Sequence, residues 1–231
     1  MHQFIKPHFI NAWIQWTAEH GMELEYLPSR HKLSLLKEGS RIGGLRLPWN
    51  YSWDPVSKRA TPEEKNWVLF LIRAGIAAVG YFENGNNLSH HVFRAYMVRK
   101  KQGKSQIKYL KTKGKSRAGS RVRLGESEQF FREINEKVSA YLAHYPVDRI
   151  GYSCSKTLWP FLFTAGSGIQ KDDPRLCKIP KHVQHPTYQV LLETNERLLG
   201  ATLDFEPEQA GWFRNPPESG TQLGEAEDEN W

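Results

Sequence analysis

A β-hairpin is the feature of this sequence that most narrows the choice of fold. Two extended runs at residues 74–83 and 88–99 flank the turn sequence Asn84-Gly85-Asn86-Asn87. Asn-Gly between two such runs favours a tight hairpin turn. The continuous apolar run at 67–72 predicts a buried strand directly before the hairpin. The sequence therefore predicts a buried strand followed by a β-hairpin.

The other elements are predicted from residue spacing and from capping residues. Helices are expected at 7–21, 126–144 and 187–199, strands at 22–27, 31–35, 149–152 and 176–179, an irregular loop at 40–60 and a helix start at 61–64. This mixture predicts an α/β (α+β) domain over residues 61–205. We expect residues 1–60 to be a helix-strand extension of the same domain, and 206–231 to be an acidic, disordered tail.

The overall composition excludes several classes of protein. The chain has 231 residues, of which 39% are hydrophobic and 12% aromatic, so wholesale disorder is excluded. No apolar run reaches the roughly 20 residues of a membrane span, and the N-terminus has no signal-peptide pattern. Two cysteines are too few for a disulfide scaffold and suit a reducing compartment. We expect a soluble, cytoplasmic protein with no membrane partner.

A basic segment without acidic residues follows the hairpin. No Asp or Glu lies between Glu83 and Glu126, whereas residues 94–123 hold twelve bases. The last 28 residues hold eight acids and one base, which leaves a formal charge of about +14 on the rest of the chain. A positive charge of this size indicates a polyanionic partner, most often RNA or DNA. We predict a basic loop at 100–125 that binds RNA through Lys100, Lys101, Lys104, Lys108, Lys111, Lys113, Lys115, Arg117, Arg121 and Arg123.

A glycine and an amide side chain lie within this basic loop, in the sequence Gln102-Gly103-Lys104-Ser105-Gln106. Glycine allows the backbone to approach a crowded centre. Glutamine has no useful pKa, so it acts by orienting a nucleophile or by donating a hydrogen bond to a developing charge. Two-metal cleavage needs clustered carboxylates, and the loop has none. We expect no cofactor and no metal ion.

Several short stretches resemble, in the same order, the release-factor-like catalytic domain of the ribosome-quality-control peptidyl-tRNA hydrolase family, whose members include an ankyrin-repeat and zinc-finger protein. The resemblance covers residues 67–199. It is carried by the following stretches: Arg94-Ala95-Tyr96-Met97-Val98-Arg99-Lys100-Lys101-Gln102-Gly103-Lys104-Ser105-Gln106, Ser116-Arg117-Ala118-Gly119-Ser120 with Arg123, Asp173-Pro174-Arg175-Leu176, Ile179-Pro180 and Pro186-Thr187-Tyr188.

This resemblance implies a mixed sheet flanked by helices, similar to the central domain of class-one eukaryotic and archaeal release factors. It further implies a catalytic loop that frees stalled nascent chains from peptidyl-tRNA on split large ribosomal subunits, by cleavage near the tRNA 3′ CCA end. Gln106 matches the critical loop residue of the family, with Gly103 as its glycine. The implied partners are the large ribosomal subunit and peptidyl-tRNA, and we expect a monomer away from the ribosome.

The sequence departs from the family at one position. Ala95 stands where the family has the first arginine of an Arg-Tyr-x-x-Arg pattern. Either Arg94 or Arg99 substitutes for it, or the phosphate contact is arranged differently. The family's zinc finger, ankyrin repeats and segregase-binding helix are not matched, so recruitment is expected to differ.

Two chemistries and one alternative function stay open at this point. The ribose 2′-hydroxyl could attack the adjacent phosphate of the tRNA, with Gln106 and a nearby cation stabilising the charge. Water oriented by Gln106 could instead attack the peptidyl ester. The alternative function is that of a non-enzymatic ribosome- or tRNA-binding factor that retains the fold, and Ala95 is the feature that favours it.

Other candidate sites carry a second interpretation. Cys154, Cys177, His182 and His185 could bind zinc, but their spacing matches no common pattern and buried cysteines with surface histidines are favoured. His90 and His91 could contact RNA or face solvent, and the tryptophans and tyrosine Trp49, Tyr51, Trp53 and Trp159 could stack on bases or cover a core. Asp172 and Asp173 are interpreted as a loop turn. The acidic tail could be solvated or could fold back onto the basic loop.

Overall fold

The computed structural model describes residues 2–95, 116–163, 168–180, 183–213 and 217, and of residues 116–127 it describes the backbone alone. The strands are β1 (His2–Ile5), β2 (Glu23–Leu27), β3 (Lys32–Lys37), β4 (Ser40–Arg46), β5 (Tyr51–Asp54), β6 (Arg59–Pro62), β7 (Asn66–Arg73), β8 (Ile76–Glu83), β9 (Asn86–Arg94), β10 (Arg149–Cys154), β11 (Leu176–Lys178) and β12 (Ala201–Asp204). The helices are α1 (Ile10–Glu19), α2 (Ser116–His144), α3 (Trp159–Leu162) and α4 (Tyr188–Leu198), with 3-10 turns at Pro7–Phe9, Pro28–Arg30 and Pro207–Phe213. None of these helices combines the length and apolar character needed to cross a membrane.

The central sheet has five strands in the order β11-β10-β7-β8-β9. Strands β10 and β7 are parallel, as are β10 and β11, whereas β8 is antiparallel to both of its neighbours. The predicted hairpin is confirmed, because Asn84 and Gly85 both adopt positive φ angles (48° and 88°) between β8 and β9. This left-handed pair is the conformation that an Asn-Gly hairpin turn favours.

One helix packs on each face of the central sheet, so the predicted mixed sheet flanked by helices is confirmed. On one face, Phe130, Ile134 and Val138 of α2 pack against alternate residues of β7 and β8. On the other face, Leu191 and Leu198 of α4 pack against the residues of β7 that point the opposite way. A strand buried on both faces accounts for the continuous apolar run at 67–72.

A second five-stranded sheet, in the order β1-β12-β4-β3-β2, is built mainly from the first 46 residues. Its core is closed by α1 through the buried side chains of Trp13 and Ile14. Strand β12 follows α4 and pairs with both β1 and β4, so this sheet joins the two ends of the described chain. Trp49, which follows β4, packs in the core between the central sheet and α4, and its backbone N–H donates to the Leu198 carbonyl of α4 at 2.8 Å.

The predicted irregular loop at 40–60 and the predicted helix start at 61–64 are wrong. Residues of this region form β4, β5 and β6 instead. The two glycines of β4 were mistaken for loop residues. A Cβ at Gly43 would lie 2.8 Å from the Asp204 carbonyl oxygen, and one at Gly44 would collide with the Lys32 side chain. Glycine therefore allows close packing within the sheet at these positions.

Two further boundaries differ from the sequence prediction. Helix α2 begins at Ser116, so the predicted loop at 100–125 is wrong for its last ten residues. Single glycines such as Gly119 cost a helix only about 1 kcal/mol each, which the rest of the segment tolerates. The prediction of disorder from residue 207 onward is wrong for Pro207–Phe213, because Phe213 is buried against Trp16 of α1.

Candidate functional site

The candidate site lies at the edge of the central sheet where several strands end together. Strands β7, β10 and β11 are mutually parallel, and β9 runs in the same direction because both β7 and β9 are antiparallel to β8. Their carboxyl ends therefore meet at one edge of the sheet. In open sheets of this kind the loops beyond the carboxyl ends form the usual ligand site. The basic segment leaves the sheet from this edge, at the end of β9.

Two arginines stand in one row at this edge. Arg73 ends β7 and Arg94 ends β9, and both are paired in register with Ile76 of the intervening strand. Residues directly opposite each other in antiparallel strands lie on the same face, and strands are about 4.8 Å apart, so the two arginine backbones are about 10 Å apart. Arg94 is exposed and forms no ion pair with another described residue. The row presents positive charge at the base of the basic segment.

Ala95 lies on the other face of β9. It is half-buried against the apolar core under α2, and its backbone N–H donates to the Gly75 carbonyl at 2.8 Å. Because strand side chains alternate, Arg94 points to the α4 face while residue 95 points to the α2 face. Arg94 therefore does not share the face on which the resemblance expects an arginine.

Most of the residues that the sequence assigned to catalysis and RNA binding lie outside the described residues. This applies to Arg99, Gly103, Gln106 and the lysines Lys100, Lys101, Lys104, Lys108, Lys111, Lys113 and Lys115. Arg117, Arg121 and Arg123 fall in the first turns of α2, where the backbone alone is described. Their roles stay predictions. The structure gives the two ends of the segment, at Ala95 and Ser116.

The edge strand that carries the segment is held on both of its faces. On the α2 face, the hydroxyl groups of Ser89 and Tyr141 are hydrogen-bonded at 2.8 Å. On the α4 face, the rings of His90 and Tyr188 are stacked, with centroids 3.6 Å apart. An edge strand has only one strand partner, so these side-chain contacts fix its position. Both contacts lie in the middle of β9, and they tie the strand that leads into the basic segment to both helices.

The stretch before β11 that resembles the family signature forms a turn closed by an ion pair. The Arg175 guanidinium donates to the Asp173 carboxylate at 2.7 and 3.0 Å, and the Arg175 backbone N–H donates to the same carboxylate at 2.9 Å. These hydrogen bonds hold the pKa of Asp173 below its usual value. The interpretation of Asp173 as a turn residue is confirmed. The pair orders the entry into β11, at the end of the sheet opposite the carboxyl ends of the strands.

Cys177 is buried, and Cys154 is half-buried. Burial raises the pKa of Cys154 to about 12, and it also raises the pKa of Cys177, whose thiol donates to the Pro28 carbonyl at 3.6 Å. Within the described part of the chain, no three His, Cys, Asp or Glu side chains are grouped as metal ligands. His182 lies outside that part, and His185 is exposed.

The loop tryptophans serve packing. Trp49 is fully buried and contacts Trp67 edge to face, with centroids 5.9 Å apart. Tyr51 and Trp53 pack against the core under α1. Trp159 contacts Tyr152 edge to face at 4.5 Å. The packing interpretation is confirmed for Trp49, Tyr51 and Trp53.

Sequence reasoning missed the stacked pair of His90 and Tyr188. The sequence leaves RNA contact and solvent exposure open for His90, and it places Tyr188 in the helix predicted at 187–199. The two positions are 98 residues apart in the sequence, so no local pattern connects them. The signal that could have found Arg73 is its place at the end of a buried strand, level with Arg94 across the hairpin.

Comparisons with known proteins define the class of this protein as that of the release factors. A family model described as the Bacteroidetes VLRF1 release factor matches residues 67–204, which is more than half of the chain. The chain therefore belongs to this family. The match begins at the residue where the resemblance read from the sequence begins, and it confirms that resemblance.

Two further comparisons give a similar curated protein and a similar solved structure. The mouse (Mus musculus) protein "tRNA endonuclease ANKZF1" is 24% identical over 164 residues, which are 65% of this chain and 21% of the mouse protein. This chain thus matches about a fifth of the length of that relative. The solved structure "Vms1 mitochondrial localization core" is 12% identical with a TM-score of 0.44, and the match covers 88% of this chain and 100% of that one.

Proposed function

We propose that this protein is a ribosome-quality-control release factor that frees stalled nascent chains from peptidyl-tRNA on split large ribosomal subunits, in the cytoplasm. The observation that carries the proposal is membership of a release-factor family over residues 67–204. That stretch contains the edge strand β9, the whole acid-free basic segment and helix α2. The feature that a release factor must deliver to the peptidyl end of tRNA thus lies inside the matched region.

The scaffold supports this role because side-chain contacts hold the strand that leads into the basic segment. The basic segment starts from a strand that both flanking helices hold and ends in a helix whose described core residues begin at Phe130. Residues 94–123 hold twelve bases. If six to ten of these contacted phosphates, affinity would fall by about 10³–10⁵ between 50 and 200 mM salt. A segment with this density of cations is suited to bind RNA phosphates rather than a protein surface.

The chemistry proposed for Gln106 needs no metal ion. The amide orients the nucleophile or donates to the oxygen on which negative charge develops, while nearby cations stabilise that charge. In tRNA cleavage the ribose 2′-hydroxyl attacks the adjacent phosphorus, the bond to the next 5′-oxygen breaks, and that oxygen takes up a proton. In ester hydrolysis, water attacks the peptidyl carbonyl and the tRNA leaves with its 3′ end intact. The name of the mouse relative favours the first chemistry.

The proposal is tested with isolated large ribosomal subunits that carry peptidyl-tRNA. After incubation with the protein, free peptide is separated and the 3′ end of the tRNA is analysed. A shortened tRNA indicates cleavage near the CCA end, whereas an intact, deacylated tRNA indicates ester hydrolysis. Either result supports the proposal. If the peptide stays attached to tRNA while the protein binds the subunit, the release function is wrong.

A non-enzymatic ribosome- or tRNA-binding factor is the second candidate. The packing of Ala95 against the apolar core favours it, because this position lacks the arginine of the family pattern. Binding to the subunit with unchanged peptidyl-tRNA is the result this candidate predicts. Loss of binding at high salt does not separate the two candidates, since both depend on phosphate contacts.

A further inference from the structure

An exposed pair of stacked rings lies between the edge strand β9 and the start of helix α4. The rings of His90 and Tyr188 are almost parallel, at an angle of 12°, with centroids 3.6 Å apart. His90 is exposed, and Tyr188 has 38% of its surface exposed to solvent. The pair therefore exposes aromatic surface to solvent beside the edge strand β9.

Cations lie on the same face of the sheet as these rings. Along β9, His90, Val92 and Arg94 point towards α4, as the packing of Val92 in the core under α4 shows. Arg94 is about 13 Å from His90 along the strand, at roughly 3.3 Å per residue. Arg73 of β7 lies level with Arg94 of β9, because both are paired with Ile76 of the strand between them. The four residues His90, Tyr188, Arg94 and Arg73 are called the ring patch below.

A second stacked tyrosine on the opposite face gives an internal comparison. Tyr145 stacks on Tyr81 with centroids 4.3 Å apart and is 39% exposed, almost the same fraction as Tyr188. Burial and two carboxylates, Glu83 and Asp148, raise the pKa of Tyr81, whereas Lys137 lies over the neighbouring Tyr141 ring at 4.7 Å. The two stacked tyrosines match in exposure, and Tyr145 lies on the α2 face, away from the row of Arg94 and Arg73.

We infer that the ring patch is a binding site for single-stranded RNA. One base stacks on the exposed surface of the ring pair, and the phosphates that follow it lie against Arg94 and Arg73. Every base has a π-face, so stacking on a tyrosine binds single strands with little sequence preference. The site lies beside the start of the basic segment, on the sheet face opposite α2. An RNA strand bound there adds contacts to those predicted for the basic segment. This inference rests on the proposed function for its choice of RNA as the partner.

The test measures the affinity of the full chain for a fluorescein-labelled single-stranded RNA of about ten nucleotides, by fluorescence anisotropy at low salt. Tyr188→Leu removes the ring, whereas Tyr188→Phe keeps it. Tyr145→Leu is the matched control on the opposite face of the sheet, because Tyr145 is equally exposed. We expect Tyr188→Leu to weaken binding about 10-fold, and Tyr188→Phe and Tyr145→Leu to bind like the original protein. Equal affinity of Tyr188→Leu and the original protein overturns the inference.

An abasic RNA of the same length separates stacking from charge. The original protein and Tyr188→Leu should bind the abasic strand equally, because no base is left to stack. If Tyr188→Leu weakens binding to the abasic strand as much as to the normal strand, base stacking is excluded and the inference is wrong. Tyr188→Met is the second variant if Tyr188→Leu does not fold, because it also removes the ring, and it should give the same pattern.

These results are distinct from a failure of the proposed function. A protein that releases nascent chains while Tyr188→Leu binds RNA normally contradicts the ring patch alone. A protein that shows ring-dependent RNA binding but leaves peptidyl-tRNA intact contradicts the release function alone.

Discussion

Acidification should destabilise this protein through one buried histidine, His31. The side chain is fully buried between the two sheets. Its Nε2 lies 2.9 Å from the Pro48 carbonyl, which can only accept, so Nε2 carries the proton. Its Nδ1 then accepts a hydrogen bond from the Tyr26 hydroxyl at 2.8 Å. A neutral imidazole satisfies both contacts.

The size of this loss of stability follows from the pKa of His31. Burial, with a contribution from the nearby Arg149 guanidinium, lowers the pKa of His31 from 6.5 to about 3. Between these values the unfolded chain binds a proton that the folded chain does not, so stability is complete above pH 6.5 and is lost as the pH falls towards 3. Between about pH 7.5 and about pH 5 the loss is about 2 kcal/mol.

The assay is urea denaturation at these two pH values for the original protein and for His31→Asn. Asparagine tolerates the positive φ angle of 47° at this position and does not titrate. The variant is less stable at both pH values, but its loss on acidification should be smaller by about 2 kcal/mol. An equal loss in the two proteins would refute the reasoning, since other groups would then account for the pH dependence.

Three further substitutions each remove one contact that stabilises the fold: a buried hydrogen bond, an ion pair and a buried aromatic ring. Each is measured by urea denaturation. Asn195→Ala leaves the buried indole N–H of Trp67 without its acceptor at 2.9 Å and should cost about 2 kcal/mol; an unchanged midpoint would mean that water replaces the amide. Asp204→Asn leaves the Lys32 ammonium, whose side chain is 6% exposed, without its carboxylate. The expected loss is about 3 kcal/mol, and adding Lys32→Met should restore part of it; no restoration would contradict the ion-pair account. Phe213→Ala should cost about 3 kcal/mol if the turn after β12 belongs to the core under α1, and a loss near zero would show that it does not.

The central sheet was predictable from the sequence because its signals are local. Asn84-Gly85 determines the hairpin, and the apolar run at 67–72 determines the strand beside it. The helix from Tyr188 to Leu198 was predictable because its apolar residues recur at helical spacing and Thr187 caps its first turn. Each of these signals lies within about a dozen neighbouring residues.

The N-terminal sheet was not predictable as a whole because its pairings are not local. Strand β12, near the far end of the described chain, inserts between β1 and β4. Residue spacing within a segment does not predict which distant strand it pairs with. Gly43 and Gly44 added to the difficulty. Glycine that allows close packing inside a sheet has the same sequence signature as glycine in a loop.

The candidate site was predictable in its chemistry and not in its geometry. The absence of acids and the density of bases identify the segment from residue 94 to residue 123 without any structure. Side chains alternate along any strand, so Arg94 and Ala95 point to opposite faces, but only the pairing of β8 with β9 and the packing of the core show which of them faces α2. The stacking of His90 on Tyr188 depends on how α4 packs on the sheet.

The central claim is that an amide within the basic segment acts on peptidyl-tRNA. It is tested most directly by the rate at which Gln106→Ala releases nascent chains from isolated large subunits. Gln102→Ala is the matched control, because it removes the same side chain four residues earlier in the same segment. We predict that Gln106→Ala lowers the release rate by about 10²–10³ while subunit binding is retained, and that Gln102→Ala releases chains normally. Release by Gln106→Ala at the rate of the original protein would contradict the account.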